Sequence, residues 1–241
     1  MQLPENADQE TSSDLYASRF RGAVGEFFLQ TQEDIITQFL TNVEPAAQTT
    51  ILEVGGGHGQ LIPAYKRAQA HVTIVGSDDS CQHRISQAIA DGSVSYKTAP
   101  LNHLPFPDQS FDTVIAIRLL THAHDWHALV QELCRVAKKN IIIDYPGSRS
   151  WNILYRVLYP LKKASEKTTR PFFVFSDAEI KDTFARHGFI VQKKQPQFFL
   201  PMVVYRKLNA AGLARWLERL FHILFLTQLF GSPTLIKFSR T

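Results

Sequence analysis

An apolar run that breaks into four glycines within five positions constrains this chain more than any other feature: Ile51-Leu52-Glu53-Val54-Gly55-Gly56-Gly57-His58-Gly59-Gln60. A strand that ends this way must turn sharply, and its backbone can then approach a ligand without interference from Cβ atoms. A dinucleotide loop reads G-x-G-x-x-G, which would need glycine where Gln60 stands. The pattern fits G-x-G-x-G instead, through Gly55, Gly57 and Gly59, with Gly56 as a fourth. No lysine follows, which excludes a P-loop. Glu53 closes the strand, and a carboxylate there suits an ammonium group better than a pyrophosphate.

The texture around the loop is that of alternating strands and helices. Strands are expected at Thr50–Val54, Val72–Gly76, Val94–Lys97, Thr113–Ile117 and Asn140–Asp144, with helices at 60–69, 80–90 and 126–138. That order implies βαβ units and a parallel sheet. Upstream, Phe28, Ile35, Ile36, Phe39 and Leu40 repeat at helical spacing within 14–42, and residues 1–13 read as polar and frayed. Downstream, Ser176-Asp177-Ala178-Glu179 is a capping box opening a helix that ends at Gly188. Strands follow at Phe189–Lys193 and Thr234–Phe238. Between them lies an amphipathic helix carrying Leu213, Trp216, Leu217, Leu220, Phe221 and Leu224. Pro45 marks a linker, Trp151–Tyr159 an apolar helix, and Lys162, Lys163, Lys167 and Arg170 a basic loop. At 241 residues this is one α/β domain with an insertion or cap.

The second strand ends in Gly76-Ser77-Asp78-Asp79, and Asp78 stands 23 residues after Gly55. An acid there can take the hydroxyls of a ribose, while Asp79 or Ser80 caps the next helix. Cys81 and Cys134 form no C-x-x-C pair. The polar N-terminus has no leader pattern, and no run is long enough to span a bilayer, so a cytoplasmic location is expected. His122, His124 and His127 lack the accompanying carboxylate pattern of a metal site, and none is expected.

Four segments resemble the class I S-adenosyl-L-methionine-dependent methyltransferases, in particular the small-molecule branch that includes ubiquinone and menaquinone methylating enzymes. They are Glu53–Gly59, Gly76–Asp78, Leu104-Pro105-Phe106-Pro107-Asp108-Gln109-Ser110-Phe111-Asp112, and Arg118–His122 with Glu132–Val136. The match spans roughly residues 50–145. The resemblance implies a Rossmann-like seven-stranded sheet with helices on both faces and an antiparallel last strand. It also implies a helical cap between strands six and seven, and S-adenosyl-L-homocysteine as product. Residues 1–49 would form a helical lid, and 50–241 the methyltransferase domain, with inserts at 146–175 and 197–231. The cofactor contacts it implies are Glu53, Gly55, Gly56, Gly57, Gly59, Asp78, Asp79 and Arg118. The family's adenine-facing acid is replaced by Pro100, which shifts that contact to Leu101 or Asn102. The Lys-Pro-Gly-Gly turn before strand five is Ala137-Lys138-Lys139-Asn140 here. His58 inside the loop reads as an idle exposed side chain. Candidate bases are His122 first, then His124, Asp144 and Tyr145. Arg19 or Arg21, near Tyr16, is a candidate partner for the methionine carboxylate.

The acceptor side is rich in Phe172, Phe173, Phe175, Phe198, Phe199, Leu200, Met202, Trp216 and Phe221, so a small hydrophobic or aromatic acceptor is expected. Charge is distributed unevenly: −6 over residues 1–50, −1 over 51–144 and +11 over 145–241. The two flanks either close on each other across a lid or present a surface to an anionic partner. Residues 206–230 could contact the inner membrane face as an interfacial helix. A nucleic-acid methyltransferase is disfavoured, because Arg118-Leu119-Leu120 stands where an Asn/Asp-Pro-Pro-aromatic motif would be. A non-catalytic assembly protein of the same fold is the alternative. The oligomeric state is left open.

Overall fold

The computed structural model describes residues 5–41, 49–151 and 172–241. The expected linker at Pro45, most of the helix at Trp151–Tyr159 and the basic loop through Arg170 lie outside the described residues.

The chain builds a seven-stranded sheet in the order β3-β2-β1-β4-β5-β7-β6. The strands are β1 (Thr50–Val54), β2 (His71–Gly76), β3 (Ser95–Thr98), β4 (Phe111–Ala116), β5 (Ala137–Tyr145), β6 (Phe189–Pro196) and β7 (Thr234–Arg240). β1 to β5 are parallel, and β7 inserts antiparallel between β5 and β6. The strand order reverses between β1 and β4, where open α/β sheets bind ligands at their carboxyl ends. The fold is the expected one, with helices between β6 and β7.

Successive side chains on a strand point to opposite faces, and the central strands are apolar on both. Leu52, Val114, Ile141 and Ile143 face one layer, made by α6 (Trp126–Val136) and α7 (Asp177–Ala185). Ile51, Ile115 and Ile142 face the other, made by α3 (Gly22–Leu40), α4 (Ile62–Ala68) and α5 (Ser86–Ala90). Each such side chain contributes about 1.5–3 kcal/mol when fully buried. Ser176 forms the expected capping box at the start of α7, and Gly188, at φ 77°, turns the chain into β6.

Helix α3 does two jobs along its length. Its second half, Ile35 to Leu40, packs on the sheet as an integral layer helix. Its first half, Val24 and Phe28, packs on the cap through Phe198, Tyr205 and Ala214. The cap comprises α8 (Met202–Leu208), α9 (Ala211–Ile223) and α10 (Leu226–Phe230). Ahead of α3 lie α1 (Asp8–Thr11) and α2 (Asp14–Ser18). Within residues 5–13, expected to fray, Glu5, Ala7, Asp8, Thr11 and Ser12 are sealed from solvent, while Gln9 stays exposed.

Candidate functional site

The glycine loop leaves β1 with Gly55 at φ 75°, a conformation that costs a side-chain-bearing residue about 1–2 kcal/mol. A 3₁₀ turn over Gly56–His58 follows. At Gly57 the reason for glycine is space: a Cβ would stand 2.2 Å from the Cys81 carbonyl oxygen and 2.5 Å from Ser12 Oγ.

Glu53 does not face the cleft. Its side chain is fully buried directly beneath Gly56, whose Cβ, if present, would meet Glu53 Cδ at 2.4 Å. It points toward Tyr65 and His58, whose Nε2 lies 3.7 Å from Glu53 Oε1. Burial pushes the carboxyl up to about 8, so it carries a proton at neutral pH and offers no charge to an ammonium group. His58 is likewise not the idle exposed residue expected. Its side chain is buried against Glu53, its Nδ1 accepts the Gln60 N–H at 3.3 Å, and burial pulls it down to about 3.

At the end of β2, Asp78 is exposed and is itself the helix cap, accepting the Ser80 N–H at 2.9 Å. Its neighbour Asp79 accepts from the Thr98 hydroxyl. Leu101 is buried and Asn102 half-buried. The N-terminal segment lies across this set. Asp8 accepts from Ser77, Asn102 Oδ1 accepts the Glu5 N–H at 3.4 Å, and Ala7 joins the apolar cluster that holds Leu101, Leu119 and Leu120. The Glu5 carboxylate accepts the His124 and Asp125 N–H groups at 2.7 and 3.3 Å. The close approach at Gly57 is to the chain's own Cys81 and Ser12. The residues fit an adenosyl cofactor in two respects: a left-handed glycine turn at Gly55 and Gly59 leading off the end of β1, and an exposed carboxylate, Asp78, at the β2 end. The space above them is occupied by residues 5–12 in this conformation.

Beside this cleft, past the ends of β4 and β5, lies a cavity of about 760 Å³. Phe172, Phe198, Phe199, Leu200 and Met202 supply apolar wall; Tyr16 and Phe20 line it from the N-terminal side. Its polar lining is a network. Arg118, at φ 59°, donates its N–H to Asp144 Oδ1 at 2.6 Å and its guanidinium to Gln32 Oε1 at 3.1 Å. The guanidinium also stacks 3.9 Å from the Phe20 ring centre. Gln32 donates to Asp144 Oδ2 at 3.4 Å and accepts from Gln60 Nε2 at 3.0 Å, which ties α3 to the glycine loop. Burial raises Asp144 to about 6, against the pull of the Arg118 N–H and charge. Arg118 thus belongs to the cavity beside the glycine loop rather than to the loop itself.

His122 lines the cavity, its ring 5.8 Å from Phe172. Tyr145 does not. Residue 145 points to the opposite face of β5 from residue 144, is fully buried, and donates its hydroxyl to Asp177 Oδ1 at 2.8 Å. Tyr145 is absent from the cavity lining, and its hydroxyl is engaged by Asp177, which speaks against the catalytic role expected of it. Arg19 pairs with Glu10 at 3.6 Å, and Arg21 is exposed at the start of α3. Gln32 was not anticipated. The available signal was a polar residue standing on the apolar stripe between Phe28 and Ile36.

A family model described as a methyltransferase domain matches residues 52–143. The chain is 30% identical over 122 residues to a ubiquinone/menaquinone biosynthesis C-methyltransferase of Vibrio parahaemolyticus, covering 47% of this chain and 44% of that protein. It is 24% identical over 170 residues to a demethylmenaquinone methyltransferase of Chlamydia pneumoniae, covering 62% and 74%. The chain thus spans less than half the length of the first of these relatives. Among solved structures, magnesium protoporphyrin IX methyltransferase from Synechocystis with bound S-adenosylhomocysteine superposes with a TM-score of 0.64 at 15% identity, over 96% of this chain and 97% of that one. At that identity the likeness is one of fold.

Proposed function

We propose, on the premise that the chain carries a class I S-adenosylmethionine-dependent methyltransferase domain of the small-molecule type, that it methylates a small hydrophobic or aromatic acceptor held in the cavity beyond β4 and β5. The observation that carries this reading is the juxtaposition of a cavity of about 760 Å³, aromatic on one wall and polar on the other, with the glycine loop, linked through Gln60 and Gln32 to Arg118 and Asp144.

The cofactor supplies an electrophilic methyl on a sulfonium, transferred as the bond to sulfur breaks and the bond to the acceptor forms. Gly55 to Gly59 would cradle it and Asp78 would hold its ribose. The protein's part is positioning and exclusion of water. The Phe172, Phe198 and Phe199 rings surround an apolar acceptor, and Arg118 and Gln32 orient its polar atom. A proton lost by that atom would pass to Asp144, or to His122 at the cavity wall. A base near neutrality matters only for acceptors that must deprotonate, such as phenols and carbon acids.

A screen of quinols, phenols and terpenoid acceptors with S-adenosylmethionine, reading S-adenosylhomocysteine release, tests this. Turnover that a Phe198→Ala substitution weakens through KM supports it. Cofactor binding without turnover on any acceptor class favours the second reading, a non-catalytic partner protein, for which the occupied cleft speaks. Absence of cofactor binding overturns both.

A further inference from the structure

Helix α9 is apolar on two sides. Ala214, Leu217 and Phe221 face inward; Ala214 is buried, Leu217 packs on the cap core, and the Phe221 ring lies 4.7 Å from that of Phe199. Leu213, Trp216, Leu220 and Ile223, spaced by three and four residues, form a second stripe that faces water, with Trp216 59% and Ile223 71% exposed. Phe225, Leu229 and Phe230 of the following turn and α10 continue it, Phe225 at 66% and Leu229 at 59%, and Val203 and Leu208 of α8 are exposed as well. An exposed apolar face this extensive marks an interaction site.

Its charge says what kind. Arg206, Lys207, Arg215 and Arg219 are all exposed on α8 and α9. Glu218 is the sole acid between residues 197 and 231, and it points inward. There it accepts the Phe199 N–H at 2.9 Å, the Thr227 hydroxyl at 3.0 Å and the Tyr205 hydroxyl. The outward surface of these three helices is therefore aromatic, aliphatic and cationic; Asp34 of α3 shares a groove with Arg215, Trp216, Arg219 and Ile223 and offsets part of that charge. We propose that this face of α8, α9 and α10 docks on an anionic lipid bilayer, lying in the interface plane with Trp216, Ile223, Phe225 and Leu229 inserted and the basic side chains at the headgroups. A symmetric second copy fits less well, because a two-fold interface would set these cations against their own copies. No described helix is long and apolar enough to cross a membrane, so the mode is surface docking. Helix α8 is shared with the cavity, since Met202, Val203 and Arg206 line it. Docking therefore brings a cavity wall to the lipid surface.

This proposal does not rest on methyl transfer, and its test reads binding alone. The full chain is floated with phosphatidylcholine vesicles, and with vesicles in which phosphatidylglycerol replaces part of the phosphatidylcholine, at low and high salt. Binding to the anionic vesicles, weakened by salt, is expected. A blue shift of Trp emission that is lost in Trp216→Phe should accompany it. The pair Trp216→Glu and Ile223→Glu should lower vesicle partitioning at least ten-fold with an unchanged far-UV spectrum and unchanged S-adenosylmethionine affinity. No binding to anionic vesicles at low salt overturns the proposal. So does unchanged binding of the folded double variant. So too does a concentration-dependent dimer that the double variant dissociates while vesicle binding persists.

Discussion

The carboxylate of Asp8 accepts the backbone N–H of Ser77 at 2.8 Å through one oxygen and the Ser77 hydroxyl at 2.5 Å through the other. This pair pins the N-terminal segment at the end of β2, beside the acid expected to take a ribose. If the cleft is the cofactor's, its occupancy by residues 5–12 would lower the fraction of molecules competent to bind cofactor, and apparent affinity would fall in proportion. A hydrogen bond to a charged group contributes about 1.5–3 kcal/mol. Asp8→Ala should therefore tighten S-adenosylmethionine binding at least about ten-fold in titration calorimetry. A weaker affinity would make Asp8 a ligand of the cofactor rather than its competitor.

Asp144 is the candidate proton acceptor, and its carboxyl is raised to about 6 by burial. Because the folded value lies above the ordinary 3.8, the folded state binds the proton more tightly than the unfolded state does. Stability therefore declines as pH rises between about 4 and about 6, while the basic form needed for catalysis accumulates through about 6. With an acceptor that must deprotonate, kcat/KM should climb across that interval. Asp144→Asn should cost on the order of 100-fold and remove the climb. A variant that keeps the acid limb would shift the assignment to His122.

The sheet was legible because short apolar runs, buried on both faces and separated by helical stretches, are a local property: β1 begins and ends at the expected residues, and the others differ by a few positions at their ends. Three features were not legible, each because its cause is tertiary. Residues 5–12 carry no apolar period. Glu5, Ala7, Asp8, Thr11 and Ser12 are buried because Glu5 and Asp8 find backbone donors more than sixty residues away, at Ser77, His124 and Asp125. Glu53 was read by its place at the strand end, but Gly56 lets the chain fold over it and the side chain is sealed beneath. At Asp144-Tyr145 alternation requires opposite faces, yet only the position of α7 with its Asp177 decides which of the two meets the cavity.

The cap hangs on one carboxylate. Glu218 receives the Phe199 N–H and two hydroxyls, joining the loop after β6, helix α8 and helix α10 to α9. Glu218→Ala leaves the Phe199 N–H and the Tyr205 and Thr227 hydroxyls without their acceptor, at a cost of about 3 kcal/mol. Glu218→Gln keeps an acceptor oxygen and should cost less. Urea midpoints of the two variants should fall in that order. Because Phe198 to Leu200 line the cavity, the alanine variant should also raise the acceptor KM more than it lowers kcat.

Glu53 gives the sharpest test of the loop. Its carboxyl is raised from 4.5 to about 8 by burial beneath Gly56. The folded state thus holds a proton that the unfolded state releases, and stability falls as pH rises from about 4.5 to about 8. Glu53→Gln matches the protonated form in shape and cannot ionise. Its melting temperature should equal that of the parent below about pH 4 and exceed it near pH 9, by an amount that grows between about 4.5 and about 8. If the carboxylate instead served an ammonium group in the cleft, the substitution would leave the pH profile of stability unchanged and weaken S-adenosylmethionine at neutral pH. Paired thermal melts and cofactor titrations separate the two. The geometry, with Glu53 against Tyr65 and His58, favours the former.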